Sequence, residues 1–293
     1  MRTPLPVNYQ ARPGAEKLDL LWKNIAATAY PPNGLPPGEP GLLARLPLFT
    51  IGYLRTSVEH ESDELPPGRA KLLHRYGSVA RVRFEATTEQ PYTGLLRGSH
   101  EGLLRISAAT AAPSFTPALA LKLFVDGCPS ANIMAMNKND GEGKNHDVFA
   151  ISYSNAVQPA TRLPGTLLGR AFERAAKALG GARLYGSYLP LHDIANVEAN
   201  GTAVSLPVVP DRLVFEPLIA PSSQPIPDWR KRLEELAENT PLFNVKVARS
   251  IDAAPEPLGR LTLLSRFVAS TYGDDVLFFQ HHRGPRKEDA ASK

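Results

Sequence analysis

Apolar residues first recur at helical spacing between about Glu16 and Thr28, where Leu18, Leu21 and Ile25 share a face and Lys17, Asp19 and Lys23 lie off it. Spacings of three and four predict an amphipathic helix. Its apolar face suits packing on the body of the protein, with peripheral contact to membrane lipid as the alternative use. Residues 1–13 read as an irregular lead-in, and the five prolines between Pro31 and Pro40 as a linker.

The pattern then changes period. Ala80–Ala86 alternates arginine with Val82 and Phe84, and Gly102–Ala108, Ala118–Val125, Cys128–Met136 and Val148–Ser152 are further apolar runs. Short runs of this kind, separated by Gly-Ser, Pro and Asp-Gly turn signals, predict strands of an antiparallel barrel. Leu167–Leu179 is a second helical pattern, stopped at Gly180-Gly181, and Asp228 is placed to cap a helix over Trp229–Ala237. Strands are expected again at Phe243–Arg249 and Gly259–Leu264. The expected class is α+β, an antiparallel β-barrel with added helices. Residues 1–40 form the helix and linker, 41–283 the barrel with its helical segments, and 284–293 a disordered basic tail.

Composition narrows the options. The 28 prolines and 22 glycines suit strands and loops, and 43% hydrophobic residues can fill a sizeable core. No apolar run reaches the ~20 residues of a membrane span, and the first residues lack a signal-peptide stretch. One cysteine, Cys128, cannot make an internal disulfide, which favours a cytoplasmic location. The net charge of +4 is small, and the basic tail reads as solvated rather than as a nucleic-acid arm.

Side chains alone offer no hydrolytic site. No His-x-x-x-His pattern, Gly-x-Ser-x-Gly elbow or phosphate-binding glycine loop occurs. If the chain is an enzyme, a cofactor performs the difficult chemistry.

Four ordered segments suggest which cofactor. The run Leu72–Glu85 places Gly77, Phe84 and Glu85 three, ten and eleven residues after His74. It resembles the distal-histidine segment of haem catalases. Leu104–Ser107 resembles the family's Arg-Phe-Ser segment, and this implies that Arg105 contacts a haem propionate and that Ser107 lies near His74 on the distal side. Ala118–Phe124 is similar to the Gly-Phe-Ala-Val-Lys-Phe strand, but Pro117 stands where the family carries an arginine. Lys71 or Arg69 would then compensate at the propionate. Gly143–Phe149 resembles the stretch holding the distal asparagine, which implies Asn145 for that role, with Asn139 and Asn137 as alternatives. Lys144 departs from the pattern there.

The proximal side follows from Ala182–His192, which resembles the tyrosine segment of small catalase-like haem proteins. The resemblance implies Tyr185 as the iron ligand, as in catalases, and puts His192 where the family has an arginine. A shifted register would make Tyr188 the ligand. Arg183 or His192 would supply a cation that favours the phenolate. Val276–Arg283 resembles the closing segment of the same proteins and is assigned to packing.

The resemblance implies a haem b enzyme of the compact branch acting on a small peroxide or hydroperoxide. Cleavage of an organic, fatty-acid hydroperoxide is the leading expectation, beside peroxide-dependent oxidation. The alternatives are hydrogen peroxide catalase or peroxidase activity, a haem-binding or sensor protein without turnover, and a barrel that has exchanged haem for another apolar ligand. A homodimer is expected at family level, and no nucleic-acid partner.

Overall fold

A computed structural model describes residues 1–31, 62–65, 71, 74–87, 89, 91–92, 94–108, 117–127, 130–137, 147–154, 212–224, 226–249 and 253–279. Among these, the alternating runs form eight strands: β1 Tyr76–Ala86, β2 Ser99–Ala108, β3 Ala118–Leu123, β4 Ala131–Asn137, β5 Tyr153–Ser154, β6 Arg212–Pro217, β7 Pro241–Ala248 and β8 Glu256–Leu263. Each pairs antiparallel with the next, and β8 returns to β1 from Val82↔Leu263 to Ala86↔Gly259, so the sheet closes into a barrel. Among the described residues every strand has a partner on both sides, the thinnest joint being β5, which pairs at two positions with β4 and two with β6.

The two-residue period sorts side chains into two cores. Ala80, Val82 and Phe84 of β1, Leu104 and Ile106 of β2, Leu119 and Leu121 of β3, and their counterparts around the ring fill the barrel. Phe243 anchors that core, with Tyr153 edge-on at 5.9 Å and Phe215 edge-on at 6.3 Å. The opposite parity, Val79, Leu103 and Ala120, turns outward into a second core with Leu18, Leu21 and Ile25 of helix α1 (Gly14–Ala27). Tyr272, Leu277 and Phe279 of the C-terminal region complete this outer layer. Burial of each large aliphatic side chain stabilises by roughly 1.5–3 kcal/mol, enough for α1 to be fixed to the wall. No helix among the described residues is long and apolar enough to cross a membrane.

Two expectations change, and one strand is added. Val148–Ser152 is not a strand. Asp147 takes Phe149 N at 3.0 Å and Ser222 N at 2.7 Å on its carboxylate, and its carbonyl takes Ala150 N at 3.2 Å, so the backbone turns. A short acidic side chain competes with the ladder in this way, and pairing resumes only at Tyr153. Helix α2 spans Trp229–Glu234 rather than reaching Ala237. Asp228 caps it through Arg230 N at 3.0 Å, and the left-handed Asn239 (φ 65°) turns the chain into β7. Strand β6, Arg212–Pro217, is the addition: no strand is expected there from the sequence pattern. The helical pattern at Leu167–Leu179 and the tail at 284–293 lie outside the described residues.

Candidate functional site

The antiparallel register of β1 and β2 sets Gly77 opposite Ser107 and Val79 opposite Arg105. Arg105 and Ser107 have the outward parity of Leu103, so both lie on the outer wall. His74 stands two residues before β1 at φ 53°, in the left-handed region. For a non-glycine residue this costs about 1–2 kcal/mol and persists only where surroundings hold it.

Arg105 does the holding. Its Nη1 donates to the His74 carbonyl at 3.0 Å and its Nη2 to the Arg75 carbonyl at 2.9 Å. The same Nη2 pairs with Asp274 Oδ1 at 2.9 Å, and both side chains are buried. Gly77 leaves room for this clamp: a Cβ there would lie 2.6 Å from the guanidinium, which would have to shift.

The imidazole makes a contact of its own. His74 Nδ1 donates to the Ser107 carbonyl at 3.2 Å. A carbonyl can only accept, so the neutral ring carries its proton on Nδ1 and its lone pair on Nε2. Burial, with the Arg105 charge assisting, pushes the His74 pKa down to about 4 against the opposing pull of the Ser107 carbonyl. Near pH 7 the ring is therefore neutral.

Lys71 donates to the Gly273 carbonyl at 2.8 Å, and Arg75 Nε pairs with Asp275 at 2.9 Å. Burial and then the neighbouring Arg105 hold the Lys71 ammonium well below the usual lysine range. Burial lifts the Asp274 carboxyl above its ordinary value, with Arg105 opposing. Arg105 Nε and Asp274 Oδ2 are buried without a hydrogen-bond partner among the described residues.

Of the residues singled out in the sequence, His74, Ser107, Arg105 and Lys71 thus meet on one patch of the outer wall. Ser107 reaches His74 through its backbone carbonyl. The recorded contacts of Arg105 and Lys71 are to protein acceptors. Asn145, Asn137's side chain, Asn139, Arg69, Arg183, Tyr185, Tyr188 and His192 lie outside the described residues. Among those described, no cluster of three or more His, Cys, Asp or Glu is arranged to hold a metal ion.

Two acids escaped sequence reasoning. Asp274 and Asp275 stand between the apolar stretches Phe267–Ala269 and Val276–Phe279, and a carboxylate buried there, as Asp274 is, needs a cation. Lys122, alone in an apolar strand, carried the same signal. It is fully buried and donates to Asp63 at 2.6 Å and Ser130 at 3.0 Å, and Tyr9 donates to Asp63 at 2.7 Å. Burial pulls Asp63 upward, but Lys122 and the two hydroxyls outweigh it and hold the carboxyl below its ordinary range.

In comparisons with family models, curated proteins and solved structures, nothing matches this chain.

Proposed function

We propose that this chain is a haem-dependent enzyme of catalase-type barrel fold that cleaves the O–O bond of a peroxide, with an organic hydroperoxide as the preferred substrate class. The observation that supports it most is His74: a neutral imidazole whose Nδ1–H donates to the Ser107 carbonyl, held on the outer barrel wall by a left-handed backbone. A proton carrier must be unprotonated before it accepts, and a pKa pushed down to about 4 suits this ring to return the proton to a departing oxygen.

On the side that the resemblance makes distal, the cationic groups Arg105 and Lys71 make their contacts to protein acceptors, so haem would have to share Arg105 with Asp274. His74 and Ser107 are together, and cationic Arg105 retains an unpartnered buried Nε beside them. Tyr185 would hold the iron, and a single tyrosinate needs no cluster of metal-binding side chains. Bound haem would supply the redox chemistry that no side chain of this protein provides. His74 Nε2 would take the hydroperoxide proton and return it to the departing oxygen. Asn145 would hydrogen-bond the peroxide and orient it. Arg183 or His192 would stabilise the Tyr185 phenolate. A cytoplasmic homodimer completes the reading.

The test is the absorption spectrum of protein from haem-supplemented cells, repeated for Tyr185→Phe and Tyr188→Phe. A Soret band lost only in Tyr185→Phe is expected. Loss only in Tyr188→Phe would shift the ligand, and no band in the parent protein would overturn the haem reading. Turnover of a fatty-acid hydroperoxide and of hydrogen peroxide then follows, with His74→Gln expected to lower the rate by about 10²–10⁴-fold. A Soret band without turnover of either substrate would leave a haem-binding protein and overturn the enzymatic part.

A further inference from the structure

Three cationic side chains around His74 end on three successive residues of one turn. Lys71 donates to the Gly273 carbonyl at 2.8 Å, Arg105 pairs with Asp274 at 2.9 Å, and Arg75 pairs with Asp275 at 2.9 Å. The turn is π-helical, Tyr272–Val276. Such wide turns are rare and concentrate at functional sites.

Its placement is fixed independently of the cations. Ser270 Oγ takes Gly273 N at 2.9 Å, and the Ser270 carbonyl takes Asp274 N at 3.0 Å. Thr28 Oγ1, at the end of α1, takes Tyr272 N at 3.0 Å, and Leu277 N closes the turn on the Tyr272 carbonyl at 2.7 Å. The apolar side chains of Tyr272 and Leu277 are sealed into the outer core. The turn is therefore a rigid mount and the His74 segment is what it holds.

Charge explains why residue 274 is an aspartate. The Arg105 guanidinium is almost wholly buried and lies close enough to Lys71 to oppose that residue's charge. Without a carboxylate, two cations would repel each other in a desolvated site. Asp274 uses one oxygen on Arg105, while its buried Oδ2 has no partner among the described residues. Its contribution is thus the charge and direction given to the guanidinium rather than a filled set of hydrogen bonds.

We propose that Asp274, mounted on the π-helical turn, is a positioning residue for His74: it holds Arg105 against the His74 and Arg75 carbonyls and so keeps the imidazole on Ser107. This rests on the reading of His74 as the proton-moving residue only for its kinetic consequence; the structural consequence is independent of haem.

The test follows the His74 tautomer in long-range proton–nitrogen NMR spectra of the full chain near neutral pH, assigned with His74→Gln. The parent protein is expected to show the proton on Nδ1 of His74. Asp274→Asn and Arg105→Met should each give an averaged mixture of tautomers, with the remaining histidines unmoved as internal controls. Where a single variant fails to fold, Arg105→Met combined with Asp274→Leu removes both charges together and should lose the Nδ1 preference too. An unchanged His74 in Asp274→Asn, or in the double variant, overturns the proposal.

In the haem-loaded protein, Asp274→Asn should lower kcat by about 10- to 100-fold, as for a misplaced catalytic group, while KM and the Soret band per chain stay constant. The double variant should lose no more than Arg105→Met alone, because Asp274 acts through Arg105. Additive losses would overturn that coupling. The two readings fail separately. A chain without Soret band or turnover whose tautomer still responds would sink the haem enzyme and keep the clamp. Turnover with a tautomer and kcat indifferent to residue 274 would do the reverse.

Discussion

His74 combines three features that rarely coincide in a structural histidine. Its backbone is left-handed, its ring is directed by a carbonyl, and its pKa is pushed to about 4 by burial, with the Arg105 charge of β2 adding to that effect. The shift ties this residue to stability. The unfolded chain binds a proton at His74 below about 6.5, whereas the folded chain stays neutral down to about 4. Between those values the unfolded state holds more protons, so this contribution is fully present above about pH 6.5 and falls as the pH drops through the window. The loss amounts to roughly 2–3 kcal/mol by pH 4, using the pKa difference and allowing for the ring's partial solvent contact. Urea unfolding of the parent protein and of His74→Gln, which has nothing to titrate, should diverge as the pH is lowered from neutral to about 5. Parallel curves would show that His74 is not desolvated in the folded state. At this scale His74, Arg105 and Ser107 stood out in the sequence only through the likeness of their segments to those of haem catalases. Asp274 was hidden because its partner Arg105 is 169 residues away, and distance in the chain carries no record of a buried ion pair.

Elements whose side chains alternate between a filled barrel and solvent were readable in the sequence. Ala80–Ala86 of β1 is such a run, with Arg81, Arg83 and Glu85 on its open side, whereas Gly102–Ala108 of β2 is buried throughout and showed as an apolar run. Strand β3 is buried along its whole length, and its signal was an unbroken apolar run with Lys122 as the exception. The short Tyr153–Ser154 strand and β6 have too few alternating positions to stand out from their flanks. The exception in β3 has an energetic meaning. Lys122 and Asp63 pair at 2.6 Å with both side chains buried, and they fasten residues 63–65 and the Tyr9 segment to the outer wall. Lys122→Met leaves Asp63 buried beside Ser130 and Tyr9 without its counterion, at an expected cost of about 3–5 kcal/mol. Pairing Lys122→Met with Asp63→Leu should cost less than that single change, because neither charge remains stranded. The exposed Arg83–Glu101 pair offers a control, with Arg83→Ala expected to cost at most about 1 kcal/mol. Equal losses for Lys122→Met and Arg83→Ala in urea titrations would mean that the buried cluster is not a fastening.

The whole molecule depends on the seam where β8 meets β1. Local turns can join successive strands, but this pairing connects segments at opposite ends of the described barrel, and it must form for the ring to close. Gly259 sits on the seam opposite Ala86 and is paired on its other side with Val245, next to a register shift in β7. A Cβ at residue 259 would meet the Glu85 carbonyl oxygen at 2.1 Å and Ala86 Cα at 2.9 Å, both backbone atoms with nowhere to move. Gly259→Val should therefore open the seam rather than merely strain it. Two free edges would then expose unpaired backbone groups, and edges of this kind recruit other chains. The expected outcome is loss of hydrogen-exchange protection in β1 and β8 together, accompanied by aggregation during purification. Gly127→Ala is the informative contrast. Its glycine has φ 62° but open space around the missing Cβ, so only backbone strain of about 1–2 kcal/mol is expected and the barrel should remain monodisperse. A Gly259→Val protein with full protection of both strands would show that the ring tolerates a shifted register at its closure. In that case the outer-wall patch would owe its geometry to β1 and β2 with the π-helical turn, and not to the closed barrel as a whole.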